Sequence, residues 1–228
     1  MAVSTVVFDL DGTLVDTAPD LMHATNAVLA AHGRRAVSLD EIRQMVGQGA
    51  RKLIDRGFIL TGEPISGERL DPLYDEFVEY YAANIAVESK PYPGVVDLLN
   101  ACAASGVKMA VCTNKLESLS VNLIDELNLA HFFGAIIGPD TVGIAKPDVA
   151  PYRAAVERAG GRLASSLMIG DSETDIRTAK AAGVPSIGVS FGYTDRHVSY
   201  FGPDHVIDHF DEVWPILERH FGAGAPSV

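Results

Sequence analysis

Asp9 and Asp11 stand two residues apart where the apolar run Val3 to Leu10 gives way to Asp-Gly-Thr. Strand pleating would point both carboxylates the same way, while Gly12 and Thr13 let the chain turn off sharply. Two carboxylates so close need a cation, and a hard all-oxygen site completed by water and phosphate suits Mg²⁺. For an isolated pair, a polar turn capping a strand is the commoner reading. Asp171 and Asp175 follow the apolar run Ser166 to Ile169, the second about one helical turn beyond the first. That spacing serves either two carboxylates facing one point or a helix capped by Asp171 or Ser172 with acidic residues in its first turn. Thr113-Asn114-Lys115 closes the run Val107 to Cys112, offering a hydroxyl and an amide beside a helix start that can hold an anion, or simply a cap. Lys146, before Pro147 and after the loop Pro139 to Ala145, is either a solvated loop lysine or a point charge holding a carboxylate and a phosphoryl oxygen together.

These groups need a scaffold that brings four separate segments to one edge. Short apolar runs at 3–10, 107–112, 135–137, 166–169 and 186–189 read as buried strands. Helical patterns lie between the later runs: Val95 to Ser105 before Gly106, Glu117 to Leu129, Val149 to Ala159 before Gly160, and Asp175 to Ala182 before Gly183. Alternation of this kind predicts a doubly wound α/β fold, a parallel sheet with helices on both faces. All four polar clusters then fall at or just beyond strand ends, the ligand-binding edge of such a sheet.

The first strand breaks the rhythm, because the long interval after it reads as almost entirely helical. Helices are expected over Pro19 to His32, from a capping box of Ser38 and Glu41, over Ala50 to Arg56, and over Glu68 to Asn84. The last places Leu70, Leu73, Tyr74, Phe77, Tyr80 and Tyr81 along one side, a pattern that reads as packing. This is an inserted helical subdomain, with linkers near Asp16 to Pro19 and at Lys90 to Gly94. The expected division is 1–16 with 91–228 as core and 17–90 as insert, with a frayed tail at 223–228.

Composition narrows the function classes. The 228 residues, 47% hydrophobic and 21% charged, are enough for one substantial core and exclude a wholly disordered chain. With 18 Lys and Arg against 30 Asp and Glu, the net charge of −12 repels nucleic acid and anionic membrane. An anionic ligand must therefore be held by a local device. Cys102 and Cys112 sit in apolar segments and read as buried reduced thiols, and no run is long enough to span a bilayer. A cytoplasmic protein is expected, without nucleic-acid or membrane partners. His205 and His209 straddle a strand end and a helix start and do not read as a metal pair; Trp214 reads as packing.

Phe8-Asp9-Leu10-Asp11-Gly12-Thr13-Leu14, Thr113-Asn114, Lys146-Pro147 and Gly170-Asp171-Ser172-Glu173-Thr174-Asp175 resemble, in order, the four signature motifs of the haloacid dehalogenase superfamily. The resemblance spans nearly the whole chain. It implies a Rossmann-like core with a small helical cap and a Mg²⁺-dependent phosphatase. Asp9 would be the nucleophile, and Asp11 the general acid and then base. Thr113, Asn114 and Lys146 would hold the phosphoryl group. Asp9, the Asp11 carbonyl and Asp171 would bind Mg²⁺, with Asp175 close by, through water. Asp11 argues against a dehalogenase, which lacks that second acid. The stretches 16–21, 46–50, 113–115 and 188–193 are similar to bacterial phosphoglycolate phosphatases, although Val149 stands where many such relatives carry a second proline. A small anionic phosphoester is the implied substrate, with a monomer or homodimer as the acting form. A phosphosugar mutase, a phosphatase of another small phosphometabolite and a non-catalytic phosphate-binding module are the alternatives.

A core that holds only phosphate and a cation treats all phosphomonoesters alike, so discrimination is expected from the insert. Gly47 and Gly49 would let backbone approach a small ligand, and the helix start after them, with Arg51 and Lys52, would attract a carboxylate. The other reading is that these glycines join two helices and the basic pair is solvated.

Overall fold

The computed structural model describes residues 4–65, 67–194 and 196–221. Val3 and the expected tail at 223–228 lie outside them. In chain order the elements are β1 (Thr5–Phe8), β2 (Val15–Asp16), α1 (Ala18–Ala31), α2 (Leu39–Arg43), α3 (Ala50–Thr61), α4 (Leu70–Ala83), β3 (Lys90–Pro91), α5 (Val95–Ala104) and β4 (Lys108–Cys112). There follow α6 (Glu117–Glu126), β5 (Ala135–Ile137), α7 (Pro139–Val142), α8 (Val149–Arg158), β6 (Ser166–Gly170), α9 (Glu173–Ala182), β7 (Ser186–Val189), β8 (His205–Ile207) and α10 (Val213–Phe221).

Six strands form one parallel sheet in the order β5-β4-β1-β6-β7-β8. Strands β1, β6 and β7 are buried along their whole length because both faces are covered. Pleating divides their side chains between two cores. Val6, Phe8, Val111 and Ile169 face the larger one, whereas Val7, Ala110, Cys112 and Met168 face the smaller one against α8 and α9. Cys102 belongs to the larger core and Cys112 to the smaller, so the sheet itself keeps these two buried free thiols apart.

Between β1 and the rest of the sheet, α1 packs against α2, α3 and α4, and α3 against α4. The capping box at α2 forms as expected, with Glu41 N–H donating to Ser38 Oγ at 3.3 Å and Ser38 N–H to Glu41 Oε2 at 2.7 Å. Helix α3 continues past Arg56 to Thr61, with Gly57 buried against α1, where a methyl group would meet Thr25 Cγ2 at 3.4 Å in ordinary contact. On α4, Leu73, Phe77 and Tyr81 are buried, but Tyr80 is 40% exposed and lies off the expected stripe. The two crossings between this helical segment and the sheet, read as linkers, pair as an antiparallel ribbon, Val15 opposite Pro91 and Asp16 opposite Lys90. Buried Asp20 fastens the base of α1 to the return crossing, accepting from Glu88 N–H, Ser89 N–H and Ser89 Oγ–H at 2.7–3.1 Å. Part of the expected loop after β5 is helical, as α7. Among the described residues no helix is long and apolar enough to cross a membrane.

Candidate active site

The turn after β1 is built on one carbonyl. Leu10 O accepts from the N–H groups of Thr13, Leu14 and Val15 at 3.0–3.3 Å, which folds the chain back and sets Asp9 and Asp11 at its mouth. Gly12 has φ +82°, and a Cβ there would press within 2.7 Å of Asp171 Oδ2, so both the turn and the approach of Asp171 require glycine.

Three strand ends and one loop converge here. Asp9 follows β1, Thr113 and Asn114 follow β4, Lys146 comes from the segment after α7, and Asp171 and Asp175 lie after β6 and in the first turn of α9. The carboxylates of Asp9, Asp171 and Asp175 are buried, with one oxygen of each within 4.8 Å of the others. Lys146 Nζ, 1% exposed, donates to Asp9 Oδ1 at 2.8 Å, Asp175 Oδ1 at 2.6 Å and the Cys112 carbonyl at 2.6 Å. Asp171 is held by Tyr193 N–H at 2.5 Å and Thr13 Oγ1–H at 3.3 Å. Asp175 meets both readings of its spacing, since it faces the cluster while its Oδ2 accepts from Ser172 N–H and Oγ–H, joining the start of α9.

Asp11 takes different partners. Its Oδ1 accepts from Lys115 Nζ at 2.5 Å and Thr17 Oγ1 at 2.6 Å, and its side chain is absent from the three-carboxylate cluster. The chain has left the sheet at Phe8, so strand pleating no longer dictates where Asp11 points. Asn114 is engaged too: its Oδ1 accepts from Lys146 N–H at 2.9 Å, and its Nδ2 donates to the carbonyls of Lys146 and Gly47, both at 3.3 Å. Thr113 is buried and its Oγ1 accepts from Lys115 N–H at 3.1 Å.

The cluster is short of positive charge. Burial, then Asp175, raises the Asp9 carboxyl to about 7 against the pull of Lys146. Burial, followed by Asp175 and Asp9, holds Asp171 well above the usual carboxylate range. Lys146 is raised despite burial, because Asp175 and Asp9 flank it. Three buried carboxylates against one ammonium fit a divalent cation, which would supply the missing charge.

A cavity of about 330 Å³ opens over these groups. Asp9, Asp11, Lys115 and Lys146 line its floor, and Gly49, Tyr74, Phe77 and Tyr81 line its roof. Gly47 and Gly49 reach it as expected, with Gly49 at φ +83° close above the Asn114 carbonyl. Arg51 borders the cavity but is 53% exposed, paired with Asp71 at 2.5 Å and stacked 4.6 Å from the Tyr74 ring. Two groups read otherwise from sequence line this cavity. Lys115, noted only as the end of a polar cluster, is a buried ammonium facing it, and Tyr81, read as packing, belongs to its wall. The signal for Lys115 was its place directly after Thr113-Asn114 at a strand end. His205 lies 3.4 Å from His220, and His209 pairs locally with Asp211 at 3.1 Å.

Residues 6–189 match the haloacid dehalogenase-like hydrolase family. The chain belongs to that family. A protein of Agrobacterium fabrum named phosphoglycolate phosphatase is 46% identical over 97% of this chain and 96% of its own length. Another of that name, from Caulobacter vibrioides, is 48% identical over 92% of this chain and 89% of its own. The crystal structure of a predicted phosphoglycolate phosphatase from Haemophilus somnus superposes with a TM-score of 0.89 at 28% identity, covering 95% of this chain and 98% of that one. These likenesses make this haloacid dehalogenase-like hydrolase a phosphoric monoester hydrolase.

Proposed function

We propose that the chain hydrolyses 2-phosphoglycolate to glycolate and phosphate through an aspartyl-phosphate on Asp9, with Mg²⁺ as cofactor. The observation that carries this reading is Asp9 itself, a carboxylate at a strand end that opens onto a small cavity and is fixed by Lys146. The relatives' names supply the substrate, and the cavity volume of about 330 Å³ suits a small one.

In the first step an Asp9 carboxylate oxygen attacks phosphorus while the ester P–O bond breaks, and Asp11 gives its proton to the departing alkoxide. In the second, water loses a proton to Asp11 and attacks phosphorus, and Asp9 leaves as carboxylate. Lys146 keeps Asp9 oriented and balances charge gathering on the phosphoryl oxygens, and Thr113 and Asn114 form the adjoining wall. Asp9, Asp171 and the Asp11 carbonyl would hold Mg²⁺, with Asp175 beside it. When bound, the ion supplies charge neutralisation for phosphoryl transfer. Residues 17–90 act as the cap over the leaving group, and 1–16 with 91–228 as the catalytic core.

Phosphate release from a panel of phosphoglycolate, sugar phosphates, nucleotides and pyrophosphate, with and without Mg²⁺, tests this. Phosphoglycolate should give the highest kcat/KM, and chelator should silence it. Turnover of other esters with none of phosphoglycolate would overturn the substrate, and full activity in chelator the metal.

A further inference from the structure

We propose that Lys115 and Tyr81 form the subsite that reads the leaving group, accepting a carboxylate one carbon away from the ester oxygen. This deepens the reading above and rests on it. The pairing joins an ammonium from the core to a phenol from the helical insert, so the pocket recognises an anion only where the two meet.

Tyr81 is fully buried and lines the cavity, and its hydroxyl makes no hydrogen bond of normal geometry among the described residues, the Lys115 ammonium being the polar group that interacts with it. A buried hydroxyl without a well-formed hydrogen bond is costly, and wall positions that keep one are poised for a ligand. Burial also pushes the phenol up to about 12, so at neutral pH it carries its proton and can donate. Lys115 Nζ lies 4.8 Å from the centre of the Tyr81 ring, with its side chain 5% exposed. It donates to Asp11 Oδ1 at 2.5 Å, with the Tyr81 hydroxyl alongside. An ammonium has three protons to place, so Lys115 can keep Asp11 and still bind a second anion.

The surrounding wall decides the size and sign of that anion. Leu21, Val46, Leu53 and Phe77 are apolar and offer a sugar hydroxyl no partner. Arg51, the residue first expected to attract a carboxylate, is turned to Asp71 and is more than half exposed. Lys115 is instead in contact with Asp11, the group placed at the leaving oxygen. In glycolate the carboxylate is attached to the carbon that bears the ester oxygen, so the two functions are neighbours in the substrate as Asp11 and Lys115 are in the protein.

The test compares kcat/KM for phosphoglycolate with that for ethyl phosphate, which has the same chain length but no carboxylate. In Lys115→Met the ratio should fall by about 30-fold or more, mainly through KM, and Lys115→Arg should restore part of it. Tyr81→Phe, which removes only the hydroxyl and leaves the packing ring, should lower the ratio by about 10-fold. Glycolate affinity, measured by calorimetry on the phosphate-free protein, should fall in both variants. Wild-type protein preferring phosphoglycolate, with a ratio that survives both substitutions, would overturn this assignment alone and leave Lys115 as a positioning partner of Asp11. No wild-type preference for phosphoglycolate over ethyl phosphate would overturn both the assignment and the substrate on which it rests.

Discussion

Asp9 sits in an electrostatic position that a free carboxylate would avoid, and measurable behaviour follows. Its folded pKa of about 7 exceeds the unfolded value of 3.8, so in the metal-free protein its contribution to stability is fully present at low pH and is lost as pH rises from 3.8 to about 7. The proposed Mg²⁺ would compete with those protons. At 100 times its Kd, the ion should stabilise by about 2.7 kcal/mol at pH 8, an increase in Tm of about 5–10 °C, and far less at pH 5.5. Differential scanning fluorimetry at both pH values checks this; an equal shift at each would place the ion elsewhere. Asp9→Asn removes the proposed nucleophile and one unbalanced charge together. Turnover should drop at least about 10³-fold while the metal-free Tm at pH 8 holds or rises. More than a few percent residual phosphate release would remove Asp9 from the role given it here.

Elements carry these residues to one place, and the hinge between the sheet and the helical segment rests on Asp20. Asp20→Ala would leave the Ser89 hydroxyl and the N–H groups of Glu88 and Ser89 without their acceptor, costing about 2–4 kcal/mol in urea unfolding. A loss under about 0.5 kcal/mol would mean that the β2–β3 ribbon alone holds the crossing. Five of the six sheet strands were readable from sequence because buried parallel strands are short apolar runs, β8 showing only as a strand end near His205, and the ends of α1, α5, α8 and α9 were readable because glycines follow them. The ribbon was not, since two residues including a proline carry no strand signal. Of the site, Asp9, Lys146, Asp171 and Asp175 were legible as polar groups at strand ends. The Lys115–Asp11 pair was not, because it joins residues 104 positions apart through a turn that no periodicity describes. Tyr81 was hidden for another reason: one side chain serves as core through its ring and as wall through its hydroxyl.

At the scale of the whole molecule, the sheet separates two thiols that burial pushes up to about 12 each. The native protein should therefore ignore iodoacetamide at neutral pH, with an unchanged intact mass and unchanged activity, and should take up label only after unfolding. Rapid native labelling would show that one core opens. The paired crossings at Val15–Asp16 and Lys90–Pro91 matter in another respect. A segment whose entrance and exit lie side by side behaves as a parenthesis in the chain: the sheet constrains only its two ends. If the segment acts as the proposed cap, natural variation between those brackets would change the compound recognised while the reaction stays the same. By this route one phosphoryl-transfer core could acquire new substrates through the exchange of a single interior passage.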